Sequence, residues 1–211
     1  MATYNEPFAT AFGKTVRPLL QGGGGHVNPV TIAGVEGTLK FTGSTYNDST
    51  GVYTFTRMVA GDAVSVNRPT AVVTKADKEW NNPHLMIIFM GQNDGNFDVD
   101  ELVNKHRLMI DHAHAKNVVV LGLSSGSASY RETYETAMHK AFGRHFISLR
   151  EYLSEYGLAD AGLTPTEADT TAMDKGEVPP QLLKDTVHYT DACKTVIGNM
   201  LYKKCCELGI F

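Results

Sequence analysis

The sequence predicts an α/β protein: a three-layer, doubly wound parallel sheet carrying a small inserted antiparallel β-lobe. Three observations lead there. The runs LMIIFM (85–90) and NVVVLGL (117–123) are apolar without alternation, which suits strands buried on both faces. Each run ends in a polar, turn-forming segment and is followed by a stretch of helical periodicity, the sign of βαβ units. Residues 27–74 instead carry short alternating runs separated by Gly, Asn, Asp and Ser, with no helical period. The expected organisation is therefore residues 1–26 and 75–211 in the α/β domain, with 27–74 inserted as the β-rich lobe.

At 211 residues the chain suits one domain with an inserted lobe, and its 42% hydrophobic content supports a proper core. The formal net charge of -4 carries no basic excess, so nucleic acid is not an expected partner. No apolar run nears the roughly 20 residues that span a bilayer, so no membrane partner is expected. The start, MATYNEPFATAF, lacks a basic segment followed by an apolar one, so no secretory leader is read there. Cys193, Cys205 and Cys206 are odd in number and two are adjacent, which argues for reduced thiols rather than a disulfide or zinc framework. No cofactor and no metal is expected.

Residues 5–17 suit an amphipathic helix, with Phe8, Ala11, Phe12 and Val16 at helical spacing and Pro18 beyond its end. Gly22–Gly25 lacks the strand-and-helix context of a phosphate loop and reads as a linker. In the lobe, VTIAGV, GTLKF, VYTFTRMV, AVSVN and TAVVT are strand-like, and residues 47–51 read as a hairpin loop. Gly61-Asp62-Ala63 imitates a Gly-Asp-Ser turn, but alanine has no nucleophilic atom and the flanks are β-like. Beyond residue 85, helices are predicted over about 99–116, 128–142 and 149–156, with a short strand at 145–148. His106 falls on an apolar stripe and reads as a core histidine. His112 and His114 are two apart and share no helix face, so they are not read as metal ligands. Residues 157–183 show little periodicity and read as a long loop, a lid or binding segment. Thr190 caps a last helix, which Gly209 ends.

Two polar clusters stand out. Gly91-Gln92-Asn93-Asp94 lies at the carboxyl end of the first buried run, where open α/β sheets build ligand sites. Asp185 and His188 are three apart ahead of the last helix, so one turn can bring carboxylate to imidazole. The carboxylate would fix the tautomer of a base and stabilise its charged form. The same spacing also serves a plain capping turn, and spacing alone does not separate the two.

Together these clusters resemble two motif blocks of the SGNH (GDSL-like) hydrolase superfamily. Gly91, Asn93 and Asp94 match its Gly-x-Asn-Asp block, and Asp185 and His188 its Asp-x-x-His block. DTVHYTDACKTVIGNMLYKK is similar to the family's run into the last helix, with Cys193 where glycine is common. Residues 146–211 further resemble SGNH domains of phage and prophage structural proteins, which carry a β-rich insertion before the Asn block. The resemblance covers about residues 20–211. It implies a flavodoxin-like sheet, His188 as general base, Asp185 as its orienting partner, and Asn93 and Gly91 as oxyanion donors. It also implies ester hydrolysis, most simply removal of an acetyl or short acyl group from a glycan, in a cytoplasmic or virion-associated setting.

The family's Gly-Asp-Ser block and second glycine block have no match before residue 27. Ser124, Ser125 and Ser127 follow a later strand and match no nucleophile position, so the nucleophile is unknown. The resemblance then implies a longer gene product, a partner chain that supplies the strand, or a non-catalytic structural or glycan-binding member. In each case the strand at 85–90 lacks its expected neighbour. A homo-oligomer, a partner chain or the N-terminal residues are expected to complete the sheet.

Overall fold

The computed structural model describes residues 2–4, 25–44, 51–67, 69–92 and 98–211, and the chain divides into two compact units, Met1–Asn81 and Asn82–Phe211. The predicted helix at 5–17, most of the glycine run, most of the 47–51 loop and Asn93 lie outside the described residues. The protein is a mixed α/β structure with one antiparallel and one parallel sheet.

The first unit is a five-stranded antiparallel sheet with β1 (Ala2–Tyr4), β2 (Val30–Ile32), β3 (Val35–Thr42), β4 (Val52–Arg57) and β5 (Val72–Val73) in the order β1-β4-β3-β2-β5. The run read as VTIAGV is split by a two-residue turn. Ala33 and Gly34 take φ of 48° and 78°, the left-handed pair that matches the twist of a tight hairpin. Val30, Leu39 and Tyr53 fill the core of this unit, and the Asn28 side chain clasps Leu39 by accepting its N–H at 2.8 Å and donating to its carbonyl at 2.9 Å. Gly37 is obligatory in this sheet: a Cβ there would stand 2.3 Å from the Phe55 ring and 2.6 Å from the Thr56 carbonyl.

Three sequence expectations change in this unit. Residues 2–4, placed with the α/β part, pair as β1 along β4 and do not complete the parallel sheet. Helix α1 (Lys75–Glu79), also placed there, belongs to this unit. It is started by a capping box between Thr74 and Asp77 and tied to β3 by Lys78–Glu36 at 3.2 Å. AVSVN forms no strand. Residues 60–67 are exposed coil, and Arg57 Nη1 donates to the carbonyls of Gly61 and Asp62 at 3.0 and 2.7 Å. Alternation alone cannot make a strand where no neighbour offers a ladder.

The second unit is built on a three-stranded parallel sheet, β6 (Met86–Ile88), β7 (Val118–Leu121) and β8 (Phe146–Ile147), in that order. One face carries Ile88 and Val120 against α2 (Val99–Ala113) and α3 (Ala128–Phe142). The other carries Val119, Leu121 and Ile147 against α4 (Leu149–Glu155) and α7 (Asp191–Glu207). Burial on both faces is why the β7 run reads as unbroken apolar sequence, whereas Ile87 on β6 stays exposed. The helix starts follow their caps: the carboxylate of Asp98 accepts from Asp100 and Glu101, and the hydroxyl of Thr190 accepts from the N–H of Cys193. Cys193 and Cys205 are buried free thiols and Cys206 an exposed one.

The predicted loop at 157–183 is corrected to two short helices, α5 (Gly157–Asp160) and α6 (Glu167–Asp174), and a 3-10 turn at Pro180–Leu182. Each is too short to print a period on the sequence, yet Leu158, Ala172, Val178 and Leu182 are buried. Asp169 is fully buried and accepts from the Thr166 N–H and hydroxyl and from the Gln181 N–H and side-chain amide. Burial alone would raise its carboxyl, but these four donors outweigh it and bring the group down to about 2.

Among the described residues β6 pairs only with β7, so its outer edge is unpaired. Ile87, Phe89 and Met90 remain 45%, 39% and 52% exposed there. Among the described residues no helix is long and apolar enough to cross a membrane.

His106 is fully buried on α2, with Nδ1 2.8 Å from the Leu102 carbonyl and Nε2 meeting no described partner. Burial lowers its pKa below 6.5 despite the Leu102 contact, so the folded state holds it neutral with the proton on Nδ1. The unfolded chain binds a proton near pH 6.5 that the folded chain refuses. This contribution is therefore complete above that pH and is lost as pH falls below it. Unfolding free energies measured from pH 7.5 to 5.5 should fall by up to about 1.4 kcal/mol per pH unit from this group, and His106→Leu should flatten that slope.

Candidate functional site

The carboxyl ends of β6 and β7 are joined by one side chain. Gly91 lies in the segment after β6 at φ 107°, with Leu102 packed 3.3 Å from where a Cβ would stand, so a larger residue would be strained and crowded there. The turn presents Gln92 to the neighbouring strand end. Gln92 Oε1 accepts from the Ser124 N–H at 3.0 Å and from its hydroxyl at 3.3 Å, and Nε2 donates to the Ser125 hydroxyl.

The second part is a narrow hairpin before α7. Leu183 and Tyr189 form an antiparallel bridge, Lys184 N–H donates to the His188 carbonyl at 2.7 Å, and Thr190 N–H donates to the Leu182 carbonyl at 2.9 Å. Its tip is closed by Asp185. Oδ1 accepts the N–H groups of Val187 and His188, each at 2.7 Å, and Oδ2 lies 2.8 Å from His188 Nδ1. The carboxyl is drawn down to about 2, first by the His188 N–H, then by the imidazole and the Val187 N–H. An ionised carboxylate at this distance keeps the proton on Nδ1 and leaves the Nε2 lone pair outward. The imidazole side chain is 77% exposed. Such a ring can take a proton from a group brought to Nε2.

No known family model matches the chain, and neither does any curated protein or solved structure.

Of the sequence-predicted site residues, Asp185 and His188 come together, Gly91 lies in the segment after β6, and Asn93 lies outside the described residues. Two clefts between α2 and α3, of about 620 and 590 Å³, include neither Asp185 nor His188, which stand on the open surface. Sequence reasoning gave Gln92 and Tyr189 no role. Gln92 occupied an unassigned place between Gly91 and Asn93. Ser124, set aside as a nucleophile because it follows a later strand, sits in Gly122-Leu123-Ser124-Ser125-Gly126, a G-x-S-x-G pattern between strand and helix. Tyr189 had no signal beyond adjacency to His188.

Proposed function

We propose that this chain is an SGNH-type ester hydrolase domain, acting on acylated carbohydrate or another small ester, with a nucleophile that is not identified. One observation carries the reading: Asp185 Oδ2 holds His188 Nδ1 at 2.8 Å while Nε2 faces outward. His188 is then the general base and Asp185 its orienting partner. Gly91 and Asn93 are proposed as oxyanion donors on the family resemblance alone. A parallel sheet packed by helices on both faces suits the doubly wound, flavodoxin-like architecture of that family.

A second reading rests on the β6 edge. Ile87, Phe89 and Met90 are exposed beside a ladder that no other described strand pairs, which favours a scaffold completed by another copy or another chain. Here the domain is a phage or prophage structural or glycan-binding module without turnover. Acetate release from an acetylated polysaccharide, measured beside binding to the same polymer, separates the two. Release above the His188→Ala background supports the hydrolase, and binding without release supports the scaffold.

A further inference from the structure

We propose that Gln92 is a positioning residue whose side chain sets the backbone of Gly91, the proposed oxyanion donor, against the end of β7. The catalytic meaning of this inference rests on the hydrolase reading, and the clasp itself does not.

The ladder shows why a clasp is needed. β6 and β7 pair only as far as Ile88 opposite Val120. β7 then runs on beside β8, with Leu121 opposite Ile147 and the Gly122 N–H donating to the Ile147 carbonyl at 2.8 Å. The chain leaving β6 passes through Phe89 and Met90, which lie beyond the strand and are exposed. Gln92 and Ser124 each stand four residues past the Ile88–Val120 pair, so their contact carries the register of the ladder onward through a side chain.

The partners orient the amide. The Ser124 N–H can only donate, so the Gln92 atom facing it at 3.0 Å is the oxygen, and the NH₂ is left for the Ser125 hydroxyl. The same oxygen takes the Ser124 hydroxyl at 3.3 Å. On its other side, Gly91 is packed against Leu102, whose two methyl groups lie 3.3 Å from where a Cβ would stand. Glycine at φ 107° has backbone freedom that other residues lack. An oxyanion donor works only when its N–H is aimed before charge develops. The Leu102 packing and the Gln92 clasp together remove the freedom that would misaim it. A clasp that merely held the sheet together would alter stability and leave kcat alone.

The test pairs amide hydrogen exchange with ester kinetics. Gln92→Ala should speed exchange of the Ser124 amide by about fivefold, as expected for one lost hydrogen bond, and shift the Gly91 amide resonance. Val119 and Val120, in the buried part of β7, should exchange as before. Gln92→Glu keeps an oxygen for the Ser124 N–H, and the Ser125 hydroxyl can turn to donate to the second carboxylate oxygen, so protection should return. Adding Ser125→Ala to Gln92→Ala should change nothing further. With a chromogenic acetate ester, Gln92→Ala should lower kcat by about 100-fold with little change in KM, the loss that a displacement near 1 Å produces. Unchanged Ser124 exchange in Gln92→Ala, faster exchange with kcat intact, or failure of Gln92→Glu to restore protection would each overturn the proposal. A parent chain without turnover refutes the hydrolase reading instead. Ser124 exchange that still depends on Gln92 then upholds the clasp, and exchange that does not removes it.

Discussion

Replacing Arg150 with alanine should destabilise the second unit by roughly 3–5 kcal/mol, the usual result of removing one partner from a buried ion pair. Arg150 Nε donates to Glu135 Oε1 at 2.9 Å and a terminal nitrogen to Oε2 at 2.5 Å, with each side chain 11% exposed. Ser148 donates to the same carboxylate at 2.9 Å, and Arg150 Nη1 donates to the Gly176 carbonyl at 2.5 Å. The pair therefore joins α3, the start of α4 and the segment after α6. Without the guanidinium, Glu135 keeps a buried charge with only the Ser148 hydroxyl, and the Gly176 carbonyl loses its short bond. Against a typical stability of about 5–15 kcal/mol, that loss is a large fraction. Urea denaturation followed by circular dichroism measures it. Arg150→Met with Glu135→Leu should recover much of the loss, because both desolvated charges are then gone.

The second large effect is chemical. If His188 is the base, Asp185→Asn should reduce ester hydrolysis by on the order of 1000- to 10,000-fold while leaving the fold intact. The asparagine oxygen can still accept the Val187 and His188 N–H groups that the carboxylate accepts now. Its NH₂ would then face Nδ1 and require that nitrogen to be an acceptor. The ring proton moves to Nε2, and the outward nitrogen becomes a donor unable to take a proton. The parent carboxyl titrates near 2 and stays ionised wherever an imidazole changes charge. The acid limb of the parent's pH–rate profile should therefore follow a single group. Initial rates of the parent and Asp185→Asn across pH 5–9 check both statements.

Much of the second unit was legible because its strands and helices are rich in apolar residues, and β7, buried on both faces, leaves the plainest mark. Leu85–Met90 and Asn117–Leu123 contain β6 and β7, and the predicted helices over 99–116, 128–142 and 149–156 contain α2, α3 and α4. Thr190 caps α7 as its sequence implied. What escaped were elements held by tertiary contacts. Helices α5 and α6 are too short for periodicity and persist because Leu158, Ala172 and Leu182 are buried and Asp169 collects four donors. The Ala33-Gly34 turn was hidden inside a β-like run, and AVSVN had strand composition but pairs with no strand among the described residues. At the site, the three-residue spacing of Asp185 and His188 allowed their contact, though spacing alone did not separate it from a plain capping turn. The link from Gln92 to Ser124 was not readable, since it joins residues on different strands.

The proposed function turns on the outward nitrogen of His188, and the direct measurement is the rate at which the purified chain hydrolyses a chromogenic acetate ester, beside His188→Ala at equal concentration. The account predicts turnover by the parent at least about 100-fold above the variant, the scale of a lost general base. Equal rates for the two proteins would contradict it, leaving Asp185 and His188 as a turn that closes the approach to α7.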